Sequence, residues 1–83
     1  LTNAASRFMF RVRDLYTADS RIVELIRDNG ISIVEYHLDK MRAEAMLTFA
    51  QLNDAKGARN ILRFNNYNCS DVEELNLFRE VQQ

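Results

Sequence analysis

Cysteine is nearly absent: Cys69 is the only one in 83 residues. That excludes an intrachain disulfide and a cysteine zinc cluster, and it fits a reducing, cytoplasmic setting better than a secreted one. No apolar run approaches the ~18 residues that a membrane-spanning helix needs, and no segment has the layout of a signal peptide. No sign of charge dominates either. Eleven Lys and Arg stand against twelve Asp and Glu, a formal net charge of −1. Nucleic-acid binders usually carry a basic face and membrane-surface proteins a basic amphipathic segment, so this balance disfavours both partners. At this length the chain is a single domain with a thin core, which an oligomer partner would help to stabilise.

What is present is a clear alternation of strand and helix patterns. The chain opens on Leu1 rather than Met, as an excised piece of a longer protein would, and residues 1–7 have no period, so they read as a disordered arm or linker. Phe8, Phe10 and Val12 then alternate with Met9, Arg11 and Arg13, the pattern of a half-buried strand. Asp19 or Ser20 can cap a helix over residues 20–29, with Ile22, Val23 and Ile26 inward and Asn29-Gly30 as its stop. Residues 31–38 are β-branched and aromatic, a strand with Ile31, Ile33 and Glu35 on one face and Val34, Tyr36 and Leu38 on the other. A charged turn, Asp39 to Arg42, joins it to a third strand over residues 43–50, close enough to form a hairpin. Asn53 is placed to cap a second helix with Ala55, Ala58, Ile61 and Leu62 inward, ended by Asn65-Asn66. Gly57 within it weakens the helix and would permit close packing on the sheet. Residues 67–75 form a weakly patterned last strand, and residues 76–83 a C-terminal tail.

Strand, helix, strand, strand, helix, strand, with right-handed crossovers, predicts an α+β, ferredoxin-like βαββαβ sandwich: a four-stranded antiparallel sheet with two helices on one face. The domain occupies residues 8–75. Fold alone decides no function here, and the chemistry-bearing residues are sparse. His37 has no companions for a metal site or a triad. Cys69 reads as a small core residue. Glu73-Glu74 reads as a solvated strand end. Arg7, Arg11 and Arg13 give the first strand a basic edge that guards against edge pairing. No serine or cysteine nucleophile stands in a local motif, so a non-catalytic role is expected, with no metal and no cofactor. The segment from Asp14 to Ser20 is the best ligand-site candidate. It joins a strand to a helix start, where free N–H groups favour an anionic group, and Tyr16, Thr17 and Ser20 add hydroxyls. Its ordinary reading is a capped turn.

Over about Phe8 to Leu75 the chain resembles the ACT domain, a regulatory small-molecule-binding module. Asp14 takes the Asp place of that family's Asp-x-Pro-Gly-x-Leu motif, and Gly30-Ile31-Ser32-Ile33 aligns with its Gly-Ile-Asn-Ile without a gap. Residues 58–62 followed by Asn65, Asn66 and Tyr67 look like its Leu-x-x-x-Gly-Tyr ending, and residues 69–74 like its last strand. This ending is similar to ACT domains that follow paired CBS domains in acetoin-utilisation-type proteins. The chain departs from the motif where Tyr16-Thr17 replaces Pro-Gly, Asp19 the Leu and Ser32 the Asn. The resemblance implies a domain that dimerises and binds an amino acid or other small metabolite at the junction of strand one and helix one, through Asp14, Tyr16, Thr17, Ser20 and Ser32. A purely structural dimerisation domain without ligand is the alternative. RNA binding of the RRM type ranks below both. Arg42 to Phe49 can be laid on that family's RNP1 octamer, but Glu44 and Met46 stand where stacking aromatics belong.

Overall fold

The computed structural model describes the backbone of residues 2–80 and the side chains of residues 6–76. Seven elements follow in order: β1 (Thr2–Arg13), α1 (Ser20–Asp28), β2 (Glu35–Asp39), β3 (Glu44–Phe49), α2 (Leu52–Phe64), β4 (Asn68–Cys69) and β5 (Glu73–Glu80). The strands form one antiparallel sheet in the order β2-β3-β1-β4, with β5 also on β1. The result is α+β, with two helices against one sheet.

Cross-strand register sorts the side chains into two faces. Phe10 and Val12 of β1 lie opposite Leu47 and Ala45 of β3, and Tyr36 and Leu38 of β2 continue those rows. This set shares one buried cluster with Ile22 and Ile26 of α1 and with Ala55, Ala58 and Leu62 of α2. Both helices therefore cover the same face. Phe10 and Phe49 stack within it at 5.6 Å between ring centroids, with planes 9° apart. The other face, with Met9, Arg11, Glu44, Met46, Thr48, Glu35 and His37, has no helix over it.

The helix ends explain themselves. Asp19 caps α1, its side chain accepting from the Arg21 N–H. At the other end the Gly30 and Ile31 N–H groups donate back to the Arg27 and Ile26 carbonyls, with Gly30 left-handed at φ 75°. The end of α2 repeats this: Asn66 is left-handed at φ 69°, and the Asn66 and Tyr67 N–H groups reach the Arg63 and Leu62 carbonyls. Each is a Schellman closure.

Several expectations are corrected. The arm expected at residues 1–7 is strand from Thr2, and the tail expected from Asn76 is strand to Glu80; they pair in the register Thr2↔Glu80 to Met9↔Glu73. Only residues 1 and 81–83 lie outside the described backbone. The last strand thus runs on to Glu80 as β5, and the molecule measures 47 × 29 × 19 Å. The strand expected over residues 31–38 begins only at Glu35. Ile31 and Ile33 pack on the core ahead of it, and the alternation then slips by one, so Tyr36 and Leu38 take over the inward face while Glu35 faces out. Asn53 does not cap α2: the cap falls two residues earlier, at Gln51, which makes no capping bond, and the helix starts at Leu52. Gly57 allows no close approach either, since a Cβ there would sit 3.5 Å from Ile31 Cδ1, an ordinary contact.

The last strand is one path broken by a bulge. Phe8 and Met9 pair with β3 on one flank and β5 on the other, while Val12 and Arg13 pair with β3 and β4. So β4 and β5 share a flank of β1. Between the Val12↔Cys69 and Met9↔Glu73 pairs, two β1 residues face three, Ser70 to Val72. Ser70 stitches the gap: its N–H donates to the Arg11 carbonyl at 2.8 Å, and its Oγ accepts from the Arg11 N–H at 2.8 Å.

Candidate functional site

The β1–α1 connection turns sharply because Asp14 is left-handed at φ 59°, a conformation Asp tolerates better than most residues. Its carboxylate accepts from Asn68 Nδ2 at 2.8 Å, which ties the turn to the start of β4. Leu15 turns inward, and its N–H donates to the Ala43 carbonyl at 2.7 Å. That leaves Tyr16 80% exposed, with Thr17 and Ser20 also in solvent. Asp19 is the organising residue. One carboxylate oxygen caps α1, and the other accepts from the Tyr67 hydroxyl at 2.6 Å. Burial, and then that bond and charge, push the Tyr67 phenol up from its ordinary value. Burial and the same carboxylate push Tyr36 up as well. Asp19 thus binds the strand-one/helix-one junction to the α2–β4 connection, a role that sequence reading limited to capping.

Of the expected ligand residues, Asp14, Tyr16, Thr17 and Ser20 lie together on this connection. Ser32 does not join them: it is exposed just after the far end of α1, whose nine residues separate the two places by roughly 13 Å. Two carboxylates, Asp14 and Asp19, flank the exposed hydroxyls. Arg13 and Arg21 stand at either end of the connection, so its charges balance.

Concavity appears elsewhere. A cavity of about 270 Å³ opens on the helix-free face, lined by Arg7, Val34, Glu35, Met46, Thr48 and Leu75. Thr48 is 2% exposed, and its hydroxyl has no hydrogen-bond partner among the described residues. Beside the cavity, Arg11 bridges Glu44 at 3.4 Å and Glu73 at 3.2 Å, and Arg13 approaches Glu44 at 3.8 Å. No sequence pattern announced this place, because its residues come from four separated segments and the β2 slip that exposes Val34 is a tertiary event.

The other candidates take structural positions. His37 is exposed on β2. Glu73 and Glu74 point to opposite faces, one to Arg11 and one to Ser6. Cys69 is buried, and burial pushes its thiol up to about 11. Among the described residues no three His, Cys, Asp or Glu side chains converge as a metal site would require, and no helix is long and apolar enough to cross a membrane. No family model, curated protein or solved structure was found to match the chain.

Proposed function

We propose that the chain is a non-catalytic interaction module of the ferredoxin-like, ACT-like type, which works by associating with itself. The observation that carries this reading is the sheet face without helices. An antiparallel sheet can leave one face to water when that face is polar. Here Met46, Leu75 and Val34 gather at its middle, Met46 and Leu75 half-buried and Val34 44% exposed. Apolar surface rimmed by charge is the mark of a contact surface. Small-metabolite sensing at the β1–α1 connection is the second reading, favoured by the exposed hydroxyls of Tyr16, Thr17 and Ser20. RNA binding lacks its platform: Phe10 and Phe49 lie under the helices, and the open sides of β1 and β3 offer bases no aromatic ring to stack on.

Thermal unfolding at a series of protein concentrations, with and without amino acids, tests this. Self-association predicts a melting temperature that rises with protein concentration, because only the folded state binds its copy. A melting temperature independent of concentration, with a monomer's mass throughout, would remove the reading. An amino acid that raises melting, in a manner lost in Thr17→Val, would put the sensor in its place.

A further inference from the structure

The charges around the cavity are unevenly used. On the helix-free face Arg11 and Arg13 are neutralised by Glu44 and Glu73, and Asp39 by Arg42 at 3.8 Å. Arg7 and Glu35 line the same cavity, yet neither forms an ion pair among the described residues; the Arg7 guanidinium donates only to the Ser6 carbonyl, at 3.2 Å. Between them lie Val34, Met46 and Leu75 and the unpartnered Thr48 hydroxyl. Whatever covers this patch must bring an acid to Arg7, a base to Glu35 and apolar surface between. A nucleic acid or an anionic membrane would find, among the described residues, a single unpaired cation here, Arg7, with the unpaired acid Glu35 beside the same cavity. A second copy turned about a two-fold axis supplies both charges at once, since an isologous contact brings residue i to j and j to i.

We propose that this face is the interface of a two-fold homodimer, in which Arg7 of each copy meets Glu35 of the partner subunit and the apolar patches close on each other. The proposal rests on the self-association reading and names its surface. The alternative, joining through the β2 edge, would leave Arg7 without its acid: antiparallel pairing of two β2 strands centred on His37 sets Glu35 against the Asp39 of another copy, not against Arg7.

Charge reversal tests it by sedimentation velocity on the full chain. The wild type should dimerise. R7E leaves the patch with two acids and E35R with two bases, so each alone should weaken the homodimer by roughly 100-fold or more. An equimolar mixture of R7E and E35R should form a heterodimer, because each chain then supplies what the other lacks. Unchanged far-ultraviolet circular dichroism checks that the variants fold; should one misfold, R7A and E35A replace the pair, each expected to weaken association by about 10-fold. A wild-type dimer indifferent to both reversals would overturn this interface while leaving self-association standing. A wild type monomeric up to about 1 mM would overturn both. A monomer whose β1, β3 and β5 amides shift on adding leucine would make the cavity a ligand site instead.

Discussion

Asp19 shows how one side chain can do what a sequence pattern assigns to several. As an N-cap it satisfies a backbone donor of α1, worth about 1 kcal/mol. As acceptor of the 2.6 Å bond from Tyr67 it holds the α2–β4 connection, and a hydrogen bond to a charged group contributes about 1.5 kcal/mol or more. Tyr67→Phe should therefore destabilise by about 1.5 kcal/mol and Asp19→Ala by about 2.5 kcal/mol. Because they share one bond, the double variant should cost little more than Asp19→Ala alone. Urea unfolding of the four proteins measures the cycle, and simple additivity would show that the two residues act separately. An absorbance titration gives a second readout: removing the Asp19 carboxylate should bring the Tyr67 phenol part of the way back toward its ordinary value, with the share due to burial remaining.

At the scale of elements, the bulge between β4 and β5 sets the shape of the sheet. It shifts the pairing register along β1 by one residue, so that Cys69 fills the core beside Val12 while Glu73, three positions past Ser70, reaches Arg11 on the open face. Ser70→Ala removes the acceptor of the Arg11 N–H and should cost about 1 kcal/mol. Hydrogen exchange should locate the effect, with the Arg11 amide faster than in the wild type and the amides of α1 protected as before. Equal acceleration throughout would mean that Ser70 acts on global stability alone. This bulge also marks where the sequence was readable and where it was not. Strong periods, such as Phe8-Phe10-Val12, Ile22-Ile26, Ala45-Leu47-Phe49 and Ala55-Ala58-Leu62, disclosed the sheet centre and both helices, because each pattern is set by burial on one face. The last strand read weakly because an extra residue reverses its inward phase at Ser70 to Val72. The strand pairing of Thr2 to Arg7 with Leu75 to Glu80 was hidden for another reason: residues 1–7 carry no apolar alternation that would mark a strand. Asp14, Tyr16, Thr17 and Ser20 share one connection because they are neighbours in sequence, whereas the cavity draws on four segments and is visible only after folding.

For the whole molecule, burial of neutral acids on the helix-covered side gives stability a defined dependence on pH. Cys69, Tyr36 and Tyr67 all have their ionisations pushed up, chiefly by burial, Cys69 from 9.0 to about 11. The folded chain therefore holds these protons where the unfolded chain releases them. The sign follows: stability is unaffected below the unfolded thiol's pKa near 9.0 and falls as the pH rises through the folded value of about 11. At 1.36 kcal/mol per unit, Cys69 alone accounts for a loss of roughly 2–3 kcal/mol across that window, and the tyrosines extend the fall above pH 10. Cys69→Ala separates the shares. At pH 7 it should cost about 1 kcal/mol for the lost packing, but its stability should decline less steeply above pH 9, so the deficit narrows or reverses by pH 11. Denaturant unfolding of both proteins at half-unit steps from pH 8 to 11.5 reads this out. Parallel curves would mean that the thiol ionises as easily in the folded chain as in the unfolded one. That result would require the β4 segment to open to solvent well before the rest of the sheet, which the shared core of Cys69, Val12 and Leu62 opposes.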